Sequence, residues 1–268
     1  MCEQSSDALK AFHRVCRSAG RASCEYAMLQ EHDRVLAALS GGADSFVMLE
    51  TLLYLQKRSP FKFEVMAATF DPGFENFNLE GIAEYCRMRQ VPHTVCKVNI
   101  PELLAADSAD PDARFRRPCV RCSRLRRGML YGLAREQKIN KLALGHHASD
   151  LMQSFMISLL RGQGLTTMGP NVPADEKHDS EPNLRIIRPL ALVSEEWVKS
   201  AAKAFEFPAA GECPYKEALE ASGDRSWAKK LLAQCAERIP DLDSLMLKSM
   251  GKVELPYLLD KRYLDNSI

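Results

Sequence analysis

No stretch of the 268-residue chain approaches the ~18 consecutive apolar residues that a membrane-spanning helix needs, so such a span is excluded. The first twenty residues, MCEQSSDALKAFHRVCRSAG, also lack the continuous apolar core of an export signal. Excess charge is missing too. Lys+Arg total 36 and Asp+Glu total 35, so bulk electrostatics say nothing about nucleic acid and any such case must rest on local clusters. There is no internal repeat and no low-complexity tract. The nine cysteines are an odd, scattered set that makes no disulfide framework. With no export signal, a reducing, cytoplasmic compartment is expected, and the cysteines are thiols or metal ligands.

What is present is an alternating pattern. A helix is expected over 6–30, where Ala8, Leu9, Phe12, Val15 and Cys16 recur at helical spacing. Short apolar runs at 34–39, 63–70, 92–99, 141–145 and 184–190 read as buried strands. Helical periods at 44–56, 78–90, 119–137, 150–160 and 195–205 separate them. Residues 101–118 and 162–184 carry no period and read as loops, and the chain beyond Cys213 is polar and helical. Such alternation predicts a doubly wound parallel α/β sheet. Ligands of such sheets bind beyond the carboxyl ends of the strands, where Ser40, Asp71 and Gly145 all fall.

Ser40-Gly41-Gly42-Ala43-Asp44-Ser45 links the first strand to a helix. Two glycines let the backbone turn tightly and approach a ligand, and the helix N-terminus favours an anion. Ser40 and Ser45 can donate to phosphate oxygens, and Asp44 can cap the helix or hold Mg²⁺. A tight turn with a capping side chain is the plainer reading. The buried strand before it favours phosphate. No GK[ST] follows, so this is not a Walker loop.

Cys119-Val120-Arg121-Cys122 brings two thiols to a helix entry. Zinc, an iron–sulfur cluster, a redox pair and two incidental thiols all fit that spacing. There is no second CxxC to complete a four-cysteine zinc site. Arg114, Arg116, Arg117, Arg121, Arg124, Arg126 and Arg127 crowd into fourteen residues around it. Such a run is usually a solvated face, but arginine forks also pair with phosphates of ATP or RNA. Gly145-His146-His147-Ala148-Ser149-Asp150 ends the fourth strand. Its Asp150 can cap the next helix, hold Mg²⁺ or accept a proton.

The phosphate-loop string resembles the SGGxDS motif of the PP-loop (N-type ATP pyrophosphatase) superfamily. CVRCSRLRRGMLY closely resembles the CSxCSRLRRGxLY stretch of the TtcA family of iron–sulfur tRNA 2-thiocytidine synthetases. Gly145-His146-His147 with Asp150, the Met168-Gly169-Pro170 loop and the Arg188-Pro189-Leu190 strand extend the resemblance over residues 8–215. The resemblance implies ATP on Ser40, Gly41, Gly42, Ala43, Asp44 and Ser45, with Asp71, Gly145, His146 and His147 lining the same nucleotide site. Mg²⁺ is implied near Asp44 or Asp150, and Asp150, Arg126 and Asp44 are the implied catalytic set. Cys119, Cys122 and Cys213 are implied ligands of a [4Fe-4S] cluster with one open iron. The implied reaction is adenylation of a tRNA cytidine followed by sulfide delivery.

This chain departs from the family where Ala43 stands in place of the usual lysine. It departs again where Ala148 and Ser149 replace the arginine and first aspartate of GHHRDD. All three changes remove charge. Two alternatives follow: a PP-loop enzyme with another substrate, or a degenerate nucleotide- or cluster-binding protein without turnover. The implied partners are tRNA, a sulfur donor such as a cysteine desulfurase or free sulfide, and a second copy in a homodimer; no membrane is implied. The expected organisation is an N-terminal helix (1–30), a PP-loop domain (31–210) and a helical extension (211–268) that carries the third cysteine.

Overall fold

The computed structural model of the protein describes residues 2–106, 118–174, 183–209, 211, 213–215, 221 and 223–260. Six strands form one sheet in the order β3-β2-β1-β4-β6-β5. They are β1 (Arg34–Leu39), β2 (Glu64–Asp71), β3 (His93–Lys97), β4 (Lys141–Ala143), β5 (Asn171–Pro173) and β6 (Arg185–Ile187). The first five in that order run parallel, and β5 pairs antiparallel with β6 at the edge. The doubly wound parallel sheet read from the sequence is therefore correct, with one reversed edge strand added.

The helices are α1 (Cys2–Glu25), α2 (Ala43–Arg58), α3 (Leu79–Met88), α4 (Ile100–Ala106), α5 (Pro118–Glu136), α6 (Ala148–Leu160), α7 (Glu195–Ala202), α8 (Asp224–Arg238) and α9 (Leu242–Met250). Among the described residues, no helix is long and apolar enough to cross a membrane.

Strand pleating divides the core in two. Successive side chains point to opposite faces, so Val35, Ala37 and Leu39 of β1 face one layer and Leu36 the other. The first layer packs α1, α2, α3 and α7 around Val35, Leu39, Val65 and Ala67, with Phe46, Phe205 and Phe207 stacked inside it. The second packs α5 and Ile100 against Leu36, Ala68, Phe70 and Leu142. Burial on both faces explains why the strands read as unbroken apolar runs rather than as alternation.

One charge lies inside the first layer. Glu50 of α2 is 2% exposed, accepts from the Tyr85 hydroxyl at 2.8 Å and pairs with Arg89. These partners compensate the buried carboxylate and tie α2 to the end of α3.

Two elements fall where the sequence reads as loop. Helix α4 occupies the start of 101–118, and β5 lies within 162–184. Seven and three residues respectively are too short to display a period. Pro173 in β5 fits an edge strand, where a missing N–H costs no ladder bond.

Candidate functional site

The site is built on the carboxyl edge of β1, β2 and β4. Gly41 turns the chain out of β1 with φ +85, a conformation that favours glycine. Helix α2 then begins at Ala43 behind Gly42. Ser40, Gly42 and Ala43 are exposed, so the loop offers its backbone outward. Ser45 is buried and its hydroxyl donates to the Gly42 carbonyl at 2.7 Å, which sets the turn. Gly145 lets the β4–α6 loop press on this turn. A Cβ there would stand 3.0 Å from the Asp44 carbonyl oxygen and 3.1 Å from the Ser45 Cα.

That approach brings together residues far apart in sequence. The Asp150 carboxylate accepts the His147 backbone N–H at 3.1 Å, which caps α6. His147 is buried, and its Nε2 faces Asp150 at 3.6 Å and Asp44 at 3.9 Å. The Ala148 N–H donates to the Val193 carbonyl at 2.9 Å, which joins this corner to the turn before α7. The starts of α2, α6 and α7 therefore converge, and their dipoles favour an anion in front of them. Burial raises the pKa of Asp44, and the nearby Asp150 and Glu195 raise it further against the pull of His147. The Asp44 and Asp150 carboxylates both lie within 4 Å of the His147 ring, and such a pair suits a divalent metal. Among the described residues, however, no three His, Cys, Asp or Glu side chains gather as a complete metal site.

His146 has a different role. Its Nδ1 accepts from the Arg188 Nε at 3.2 Å, and burial together with that guanidinium holds it down at about 4. It is therefore neutral near pH 7. Its folded pKa lies below the ~6.5 of an unfolded histidine, so the unfolded state takes up the proton first. The expected result is a stability that falls as pH drops from about 6.5 towards 4, by an amount on the order of 2 kcal/mol from this residue. His146→Gln should flatten that part of the profile in denaturant titrations. An unchanged slope would show that His146 does not carry it.

Asp71 lies at the end of β2, but its carboxylate accepts the Gly73 N–H at 2.9 Å and shapes the following loop. That loop leads to the cysteines. Cys122, partly exposed, packs in one cluster with Phe74, Leu125, Met129 and Tyr215. The Phe74 and Tyr215 rings stand 6.2 Å apart. Upstream of Tyr215, the Asn78 side chain donates to the Ala209 carbonyl at 2.9 Å, and Gly211 (φ +82) lies against the Asn76 backbone. The segment bearing Cys213 is thus held along the β2–α3 loop. Cys213 is exposed. Arg126 sits beside the Cys122 sulfur at 3.9 Å and over the Phe70 ring.

Three other cysteines, Cys16, Cys86 and Cys96, are buried and contrast with these, whereas Cys24 is exposed and Cys235 partly so. Burial raises Cys16 to about 12 and Cys86 to about 11, and raises Cys96 as well, which keeps all three as inert thiols. Cys122 and Cys213 are accessible and free of disulfides, and Cys122 has the Arg126 guanidinium beside it, donor chemistry that suits an iron–sulfur cluster. Cys119 lies three positions before Cys122 on α5, and its side chain falls outside the described residues. Arg114, Arg116 and Arg117 fall outside them too, whereas Arg124, Arg126 and Arg127 are exposed on α5.

Sequence reasoning missed four contributors. Arg188 is buried beside His146. Glu195 opens α7, and although burial opposes ionisation, hydrogen bonds from Lys199 and Lys229 bring it down to about 2. Lys229 and Arg225 come from α8 in the C-terminal extension. Lys229 meets Glu195 at 2.9 Å, and Arg225 meets Asp150 at 3.6 Å. The extension packs on α6 and covers the edge of the site.

A glycine turn after β1, an acid on the helix start that follows and a His147–Asp150 corner packed against it have the form of a PP-loop nucleotide-binding site. The PP-loop domain family model matches residues 13–207, and the chain belongs to that family. Within it, the chain belongs with the tRNA-cytidine(32) 2-sulfurtransferases. The protein of that name from Syntrophotalea carbinolica is 33% identical over 255 residues, covering 94% of this chain and 93% of that protein. Its namesake from Pseudomonas aeruginosa is also 33% identical, covering 94% of this chain and 88% of its own length. Among solved structures, the U34-tRNA thiolase NcsA from Methanococcus maripaludis, determined with its [4Fe-4S] cluster, shares the fold. Its TM-score is 0.66 at 19% identity, covering 93% of this chain and 81% of that one.

Proposed function

We propose that the chain transfers sulfur to a cytidine of tRNA in an ATP-dependent reaction. What supports this reading is a glycine turn at the carboxyl end of β1 that leads into α2, in a chain that also carries two accessible free cysteines, Cys122 and Cys213. Relatives at 33% identity named as tRNA-cytidine(32) 2-sulfurtransferases support the substrate.

In this reading the Ser40–Ser45 turn and the start of α2 hold the ATP phosphates through backbone N–H groups. Asp44 and Asp150 face the same point and would hold Mg²⁺ between them and the phosphates. The pyrimidine carbonyl oxygen attacks the α-phosphate, the bond to the β-phosphate breaks, and pyrophosphate leaves. Fixed N–H dipoles and arginines offset the charge on the transferring group. Neutral His146 keeps Arg188 directed into the site. Cys119, Cys122 and Cys213 would hold the [4Fe-4S] cluster, which supplies the sulfur that replaces the activated oxygen as AMP departs. Arg126, beside Cys122, would balance charge on the transferring group and on the thiolate. A sulfur donor, a cysteine desulfurase or free sulfide, replenishes what is delivered.

The cations lost at Ala43 and Ala148 are offset in this reading by Arg225 and Lys229, neither of which belongs to the motifs. That favours turnover over a degenerate binding protein. The test is pyrophosphate release by anaerobic, cluster-loaded protein with and without bulk tRNA. Release stimulated by tRNA is expected. Release indifferent to tRNA would move the substrate to another molecule, and no release would leave a binding protein.

The exposed arginines of α5 give a second expectation. If Arg124 and Arg127 contact RNA phosphates, tRNA affinity should fall steeply with salt. The double variant R124A/R127A should lower the slope of log affinity against log salt by about one unit per lost contact. An unchanged slope in filter binding would remove both residues from the RNA footprint.

A further inference from the structure

The C-terminal extension contributes an arginine to the nucleotide site that no motif of the chain announces. Arg225 stands at the start of α8 with its guanidinium beside Asp150. It meets the Asp150 carboxylate at 3.6 Å and the Met168 thioether at 4.0 Å. Both contacts are longer than a normal hydrogen bond, and the side chain is 57% exposed. The neighbours of Arg225 dock the helix far more firmly. Asp224 accepts from Arg161 at 2.5 Å, and Lys229 donates to Glu195 at 2.9 Å. Ala228 and Leu232 are the buried side chains of α8. Helix α8 is therefore held by Asp224, Lys229 and its apolar face. The loose contact of Arg225 with Asp150 is not needed to keep it there.

Asp150 is the acid that faces His147 and, beyond it, Asp44. A divalent metal binding to these carboxylates competes for the charge that now attracts Arg225. An anion held at the starts of α2 and α6 would take the guanidinium in exchange.

We propose that Arg225 is a phosphate-binding residue of the nucleotide site, resting against Asp150 until ATP with its magnesium binds and then pairing with the ATP phosphates. This rests on the ATP-site reading above. It gives the extension a function: α8 carries a cation to a site that lacks one at Ala43 and at Ala148. Arginine suits the role because its planar fork can bridge two phosphate oxygens, whereas lysine offers a point charge.

The test is calorimetric titration of the full-length protein with magnesium and an ATP analogue whose α–β bridge is a methylene, so that nothing is cleaved. The wild type should bind. R225A should bind about tenfold to a hundredfold more weakly, the range of one charge-assisted hydrogen bond, and R225K should recover part of the loss. R161A, which breaks the neighbouring docking pair, should bind as the wild type does. The KM for ATP in pyrophosphate release should rise in R225A by the same factor. R225A binding with wild-type affinity would overturn the proposal. R161A weakening binding as much as R225A would overturn it too, since docking of α8 would then be the cause. A wild type that does not bind the analogue would instead defeat the ATP-site reading itself.

Discussion

Gly41→Asp is expected to abolish ATP binding while the protein stays folded. Two effects act at this position and their sizes separate them. The backbone at φ +85 strains any residue with a Cβ by about 1–2 kcal/mol, a loss a domain of this size survives. The carboxylate adds a like charge where the phosphate must sit. At ~4 Å and an effective dielectric constant of ~20 that repulsion is about 4 kcal/mol, roughly a thousandfold in affinity. Gly41→Ala isolates the strain. It should lower the melting temperature about as much as Gly41→Asp but weaken ATP binding far less. Calorimetry that finds wild-type ATP affinity in Gly41→Asp would place the nucleotide elsewhere.

The second large effect concerns the cysteines. Anaerobically prepared protein should carry about four irons and as much labile sulfide per chain, with the charge-transfer absorption of a thiolate-bound cluster. Cys119→Ser, Cys122→Ser and Cys213→Ser should each reduce iron to near zero or leave a cluster lost on dilution. Cys86→Ser should keep its iron. That thiol is fully buried and pushed up to about 11, so its replacement costs stability, about 1–3 kcal/mol, rather than metal. Cys235→Ser should keep its iron as well. One tightly held zinc and no labile sulfide would make the site structural. The sulfur-transfer chemistry would then lose its source.

Most of the fold is legible because burial and periodicity coincide. Val35 to Leu39 is buried on both sheet faces, so the strand shows as an apolar run, and the glycines that follow mark its end. The same logic finds β2, β3, β4 and β6 within a few residues. It fails for α4 and β5, which are too short to show a period.

The phosphate loop and the His147–Asp150 corner are legible because each is local: a strand end, a turn and a helix start lie within a few positions of one another. Arg188, Glu195, Arg225 and Lys229 are not. Their relevance comes from pairings such as Asp150 with Arg225 and Glu195 with Lys229, which tertiary packing creates between distant segments. A polar helical tail gives no sign in one sequence of which cation will face a carboxylate. Cys213 was legible only by resemblance. The structure shows its segment held along the β2–α3 loop through Asn78 and Gly211, with the Tyr215 ring beside Phe74.

The central claim is that ATP cleavage and sulfur transfer act on one cytidine. The most direct measurement is mass-spectrometric nucleoside analysis of tRNA after incubation with anaerobic, cluster-loaded protein, magnesium, ATP and a sulfide source. The account predicts that cytidine gains sulfur in place of oxygen only when ATP is present, and that Gly41→Asp and Cys122→Ser each abolish the product. Cytidine left unmodified while ATP is cleaved, or thiolated without ATP, would contradict it.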